Sequence, residues 1–459
     1  MTFGDKPCQM KPQSISSNQL SFLAPGLKEQ LNPKQELYLL SEQIDWGYFE
    51  TEFSKLYSDQ GRPGHPIRLM VSLLILKSIY NLSDEELVEK QWEMNAYFQY
   101  FSGFTTMQWS VPCAASELTH FRKRIGNDGI EKIFEHSIKL HGNDGQDKDV
   151  SIDTTVQENN ITYPTDAKLH KKIIEKCVGI AKKEGIDLRR SYKRTSKKLV
   201  RDTYNSSHPK RRKKAKSAQR KLKTIAGRLI RELERKLPEV KLYEPDLSLY
   251  KQVLDQQRGS KNKIYSLHEP DTYCIAKGKT HKKYEYGKKA SVVLTQNTGI
   301  IVGAMTFEEN IYDGHTLPLV LAQTKQLAGY SPQTATVDRG YKGKNKVDET
   351  QIIRPSAPLK RDNAYRRRKK RKHCRRRAAI EPVIGHLKSD HRVSRNFLKG
   401  HRGSSINFIM AACGFNFKKL MKELKSRALW LHTVLTNETK YWRFDNIWFF
   451  NIRCSKVTF

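Results

Sequence analysis

Three carboxylates stand where a side chain can do chemistry. Asp153 lies in KDVSIDTTVQ, an alternating, β-branched stretch that reads as a strand. Asp338 closes TATVD, a short buried strand, and Arg339-Gly340-Tyr341 must then turn the chain. Ends of parallel strands are where open α/β sheets place ligands. Glu381 follows a run in which every position from Arg366 to Arg377 is Lys or Arg, apart from His373 and Cys374. A surface built only to hold phosphate gains nothing from a lone acid there, because the carboxylate repels the ligand. The pattern has a use if the cations deliver a phosphodiester and the acids hold a divalent metal. Mg²⁺ takes a few carboxylates with water and phosphate oxygens; it makes a nucleophile of water and stabilises the leaving oxygen. Singly, each acid has a plain structural explanation, since Asp is common at strand ends and Glu in helices.

The neighbours of Glu381 sharpen the pattern. Arg377 lies four residues before it and Lys388 seven after, so the three share one helical face, while Ile380, Ile384 and Leu387 form the opposing apolar stripe. Pro382 leaves two geometries open. Either the helix begins near Glu381, with Pro382 in its first turn, or it is kinked there.

The bulk composition agrees with a phosphate-bearing partner. Lys and Arg number 84 against 48 Asp and Glu, a formal charge of +36, which favours a polyanion bound in a salt-sensitive way over a merely soluble basic surface. LMVSLLIL, the longest apolar stretch, is too short to span a bilayer, and no signal peptide opens the sequence, so no membrane partner is expected. The seven cysteines (8, 113, 177, 274, 374, 413, 454) are scattered without a CxxC pair. That argues against a zinc module or disulfide framework and fits a reducing cytoplasm.

These residues need a scaffold, and the sequence divides accordingly. Residues 1–60 read as a leader with few signals. Residues 61–140 read as a helical domain: Pro66 suits a first helical position, Ile67 to Ile79 is apolar nearly all round, and Ser83 with Glu86 makes a capping box. The aromatics from Trp92 to Phe104 read as core. SELTHFRKRIG places Arg122, Lys123 and Arg124 where this domain could touch DNA. From 146 to 425 the pattern is α/β. SVVLTQ and IIVGAMTF form a hairpin through Asn297-Thr298-Gly299, DGHTLPLVLAQTKQLAG is helical, and TATVD and TQIIRP are strands. A basic helical insertion of about 164–285 interrupts this domain. Leu222, Ile225, Leu229, Leu233 and Leu237 give it an apolar face opposite the cations. A solvated coiled-coil arm and a DNA-gripping arm both remain open for it. Residues 426–459 form an aromatic-rich tail of open role.

In the order GRPGHPIRLMVSLLILKSIYNLSDEEL, PCAASELTHFRKRIG, SIDTTVQENNITYPTDAKL, YSLHEPDTYCIAKGKTHKKYEYGKKASV, NIYDGHTL, TVDRGYKG and RRRAAIEPVIGHLKSDHRVSRNFLKG, the sequence resembles a DDE transposase of bacterial insertion sequences, in the IS-five group of the IS-four-like superfamily. The resemblance covers roughly residues 61 to 424. It implies a ribonuclease H-like catalytic domain with Asp153, Asp338 and Glu381 as the metal-binding catalytic triad, holding two Mg²⁺ ions for which Mn²⁺ can substitute. The family's tyrosine–arginine–glutamate–lysine signature falls on Arg377, Glu381 and Lys388, with Cys374 where the tyrosine stands. Arg377 and Lys388 would hold end DNA, with Arg339, Arg122 and Arg124 as further contacts. Asp313 and His315 belong to a recurrent segment, with a role in the site and capping of the following helix both open. The implied reaction is attack of water at the element's end, then of the freed 3′-hydroxyl on double-stranded target DNA, with no tyrosine or serine nucleophile. It further implies at least a dimer, working at the bacterial nucleoid in the cytoplasm. An inactive or domesticated nuclease-type protein of the same fold, and a non-enzymatic nucleic-acid-binding protein, are the competing readings.

Overall fold

The computed structural model describes residues 9–11, 25–257, 259–277, 282–343 and 345–441. The chain divides into two compact units, residues 1–126 with 413–459, and residues 127–412.

The first unit is helical. Helix Ile67–Tyr80 carries apolar residues on every side and is buried nearly throughout, ending at Asn81 in the left-handed conformation. Ser83 and Glu86 form the expected capping box. The leader expected over residues 1–60 is corrected: helices Glu36–Gln43 and Trp46–Ser54 belong to this core. Their Leu37, Leu40, Phe49 and Phe53 recur at helical spacing and are buried. Tyr38 stacks on Tyr100 at 4.7 Å, and Trp46 meets Phe101 edge-on at 5.1 Å. Helix Ala115–Lys139 breaks at Gly126, whose φ of 65° suits glycine.

Arg122, expected at a DNA surface, is corrected too. It lies on the inner face of that helix with Leu118, Phe121 and Ile125, only 5% exposed. Its guanidinium grips Asp84 through both nitrogens, at 3.0 and 2.6 Å, and Lys77 reaches the same carboxylate at 2.6 Å. A buried acid needs that compensation, so the cation is consumed inside the unit. Arg124 lies half-buried over the Tyr57 ring at 4.3 Å.

The second unit is built on a mixed sheet. Its strands are β1 (Asp149–Glu158), β2 (Tyr273–Ala276), β3 (Tyr284–Thr295), β4 (Ile301–Thr306), β5 (Thr334–Thr336), β6 (Lys346–Val347) and β7 (Thr350–Ile353). The order is β2-β3-β1-β5-β7-β6, with β4 also on β3. β1 runs antiparallel to β3, placing Asp153 opposite Val292, and parallel to β5. The β3–β4 hairpin turns at Gly299, φ 67°, where sequence predicted it. Gly287 pairs with Glu158, and a Cβ there would fall 1.9 Å from the Gln157 carbonyl oxygen, so no larger residue fits without parting the strands.

The helices of this unit are α1 (Asp166–Lys183), α2 (Lys193–Asp202), α3 (Pro209–Lys236), α4 (Val240–Asp255), α5 (Asp313–Ala328), α6 (Ala364–Ala378) and α7 (Ile380–Asp390). The first four form the insertion, which is shorter than the expected 164–285 because β2 and the start of β3 belong to the sheet. Ile173, Cys177, Leu222, Leu229, Leu233 and Tyr250 give the insertion a core of its own. Its ends are tied at the sheet, where Asn159 Nδ2 donates to Thr272 Oγ1 at 2.8 Å.

A final helix, Gly400–Tyr441, takes in the beginning of the expected tail; residues 442–459 lie outside the described residues. Among the described residues no helix is long and apolar enough to cross a membrane. Among the described residues, Cys113, Cys177, Cys274, Cys374 and Cys413 are in no disulfide.

Candidate active site

Arg377 pairs with two of the three acids and lies near the third. Asp153 sits mid-strand on β1, with one carboxylate oxygen accepting the Thr154 N–H at 2.8 Å. Asp338 lies just past β5, the parallel neighbour of β1, and takes the Arg339 N–H at 2.8 Å. Glu381 lies in the first turn of α7, where Pro382 is tolerated because first-turn N–H groups have no helical partner. The basic run forms α6, and only Ala379, itself in helical conformation, separates it from α7, so the helix is interrupted just ahead of Pro382. Arg377 reaches from its last turn to Glu381 Oε1 at 2.9 Å and to Asp338 Oδ1 at 3.7 Å. It also lies close enough to Asp153 to favour that carboxylate's charged form.

The sheet holds this helix pair in place. Ser151 Oγ on β1 donates to the Arg376 carbonyl at 3.2 Å, and the Arg376 side chain reaches Asp149 and Asn297, each at 3.4 Å. Ile380 and Leu387 are fully buried under α7, while Ile384 is half-buried. Lys388, one turn from the far end of α7, faces the buried Glu285 at 3.6 Å. Arg339 is exposed and donates through Nε to the Pro355 carbonyl at 3.2 Å. α6 buries no residue, and its cations from Arg367 to Arg376 line a concavity of about 1290 Å³.

Other side chains surround Asp153. Asp313, at the start of α5, accepts from Thr154 Oγ1 at 3.0 Å and from Lys289 Nζ at 2.9 Å, so it binds the strand beside Asp153 as well as opening a helix. Lys277 is pushed below its ordinary pKa by burial, against the pull of Glu285, Asp153 and Asp313. Tyr341 is buried, with Asp153, Asp313 and Asp338 among its charged neighbours. Only their place in quoted segments (YCIAKGK, GKKASV, NIYDGHTL) hinted at them.

Three carboxylates are hard oxygen donors, the set that Mg²⁺ or Mn²⁺ takes. Among the described residues, however, no three such side chains are gathered as a metal cage. Asp338 and Glu381 instead share Arg377, which stands as the cation among them. The donor chemistry suits such an ion, while Asp338 and Glu381, about half exposed, are paired with the guanidinium instead.

Asp153 carries a testable signature. Its pKa is pushed up to about 6, chiefly by burial and further by Asp338, against the Thr154 N–H and Arg377. The folded value lies above the ordinary 3.8, so folding favours the protonated form. That contribution is complete below about pH 4 and lost as pH rises through 6; above it the charged carboxylate costs about 2–3 kcal/mol. Asp153→Asn is therefore expected to melt several degrees above the parent at pH 8 in EDTA and level with it at pH 4. Equal melting at both pH values would contradict this.

A family model described as "Transposase domain (DUF772)" matches residues 26–124, and one described as "Transposase DDE domain" matches residues 258–417, taking in Asp338 and Glu381 but not Asp153. A protein of Rhizobium meliloti, "Uncharacterized protein ORF8 in nfe locus", is 39% identical over 196 residues, which is 42% of this chain and 94% of that protein. No solved structure matches. With both matched domains in order and a relative covered almost end to end, the chain belongs to the DDE transposase family.

Proposed function

We propose that this chain cuts DNA at the ends of an insertion sequence of the IS-five group and joins the freed 3′-hydroxyl to target DNA. The carrying observation is that Arg377, at the end of a cationic helix with no buried residue, pairs with both Asp338 and Glu381 and acts on Asp153. The sheet order, with an antiparallel hairpin on one side of β1 and parallel strands on the other, supports a ribonuclease H-like reading of the domain.

Two divalent ions, Mg²⁺ with Mn²⁺ as substitute, held by the three acids, would activate water and neutralise the leaving oxygen. The chain's own residues do the rest. The cations of α6 draw the DNA backbone toward the acids. Arg377 presents two N–H donors to a phosphate, so an incoming phosphodiester competes with Asp338 and Glu381 for its guanidinium. Lys388 and Arg339 flank the acids and hold the strand on either side. Burial keeps Tyr341 a neutral phenol, pushed well above its ordinary pKa, so it is no covalent nucleophile. Arg122, spent on Asp84, has no part in holding DNA. Since two ends must reach one target, a dimer at least is the working form.

One observation favours a nuclease that cuts without joining. Cys374 replaces the signature tyrosine and points its Sγ to the Ser356 carbonyl at 3.6 Å, leaving no aromatic contact there. The test is incubation with end-bearing duplexes, Mg²⁺ and a target plasmid. Cut strands bearing 3′-hydroxyls and joined products are expected. Products cut but never joined support the nuclease, and cleavage no better than on scrambled ends overturns both.

A further inference from the structure

The basic edge of the inserted bundle has no task in folding. The bundle closes its core with apolar residues of α1, α3 and α4. The five Lys and Arg of α2, and the seven between Pro209 and Arg220 on α3, are all exposed. From Lys193 to Arg220 the one carboxylate is Asp202, which pairs with Lys214 at 2.9 Å. A helix face that serves only solubility mixes its signs, and the rest of the bundle does so: Lys171 pairs with Glu175, Lys236 with Glu232 and Lys251 with Glu234. The α2–α3 edge instead segregates one sign, at a cost in helix stability from like charges a turn apart. Within the turn joining α2 and α3, Tyr204 is 77% exposed. Beside it runs a groove of about 470 Å³ with Thr203, Ser206, Arg212 and Lys216 on one side; Asp166 also lines it, bonded to Gln219 at 3.1 Å.

We propose that this edge is a second DNA seat, distinct from the acid site, which grips the phosphates of duplex DNA without reading sequence. α2 and the exposed start of α3 are each about 15–18 Å long, so each can follow about half a turn of duplex. Hydroxyl and cationic groups bind phosphate oxygens, and an exposed tyrosine adds a donor or a face to the sugar-phosphate ridge. The chemistry is that of backbone contact, so its mark is a salt dependence shared by all sequences.

The test is a combined variant, Lys197→Gln, Arg201→Gln, Lys210→Gln and Lys213→Gln, in the full chain, binding an unrelated duplex over a range of salt. Glutamine preserves helix propensity. The slope of log affinity against log salt is expected to become shallower by about 3, with affinity at low salt falling at least tenfold. An arginine at each of the four positions should restore the parental slope. Glu381→Gln should leave the slope alone while abolishing cleavage, so failure here and failure of the proposed catalysis are told apart. An unchanged slope in a normally melting variant overturns the seat. Should the variant not fold, Tyr204→p-benzoylphenylalanine decides: a photo-crosslink to duplex DNA is expected, and none overturns the proposal. Preference of this edge for single-stranded RNA over the duplex also overturns it.

Discussion

Asp338→Asn and Glu381→Gln are each expected to cut strand cleavage by about 10³-fold or more while leaving the fold and DNA affinity in place. An amide is a poor ligand for a hard divalent ion, and losing several kcal/mol of transition-state charge stabilisation corresponds to that factor. Neither side chain supports the core: Asp338 and Glu381 are about half exposed, and their bonds to Arg377 are partly screened pairs of small net worth. Removing a negative charge beside the cations should, if anything, tighten DNA binding. Single-turnover cleavage of an end-bearing duplex in Mg²⁺ and in Mn²⁺ gives the rate, and filter binding the affinity. A variant within tenfold of the parent rate would remove its residue from the metal set.

Arg122→Met should act in the opposite way, lowering stability by about 3 kcal/mol with little direct effect on DNA contact. The substitution fills similar volume but strands Asp84, which is nearly buried and depends on Arg122 and Lys77. Burial pushes the Asp84 pKa up, yet bonds to Arg122 and Lys77 bring it below its ordinary value. The stability from Asp84 is thus present above about pH 4 and lost as pH falls through the folded pKa. Denaturation midpoints should accordingly separate parent and variant at pH 7 and draw together near pH 3. A variant as stable as the parent but weak in DNA binding would return Arg122 to the surface role its basic neighbours suggested.

That residue marks where sequence reading ran out. Arg122, Lys123 and Arg124 look alike in a string of letters; only the packing of Phe121 and Ile125 inward reveals that Arg122 goes with them. Its partner Asp84 lies in another helix, a distance no local pattern encodes. The acids stood out because local chemistry marks each: a β-branched run around Asp153, a strand end before Arg-Gly-Tyr, a cationic run giving way to an apolar stripe at Glu381. Lys277 and Lys289 carry no such mark; strand pairing places them near Asp153 and Asp313. The leader was missed because Leu37, Leu40, Phe49 and Phe53 sit in two short helices whose pattern spans few turns. For the basic run, the charge was plain but not the reach, since Arg377 spans Asp338 and Glu381 only because Ser151 fixes the end of α6 on β1.

The insertion leaves β1 and returns to the sheet at a point clasped by Asn159 and Thr272, which bears on how the catalytic domain acquires its topology. Asp153 and Val292 are neighbours in the sheet yet stand far apart along the polymer. Drawing such remote segments together carries an entropic penalty that grows with the logarithm of the intervening length. A bundle that has already condensed on its own hydrophobic centre shortens that excursion, lowering the penalty by about 1 kcal/mol. The guest helices are then a folding aid to their host, and lesions deep in their interior would delay assembly of the acids without touching any of them.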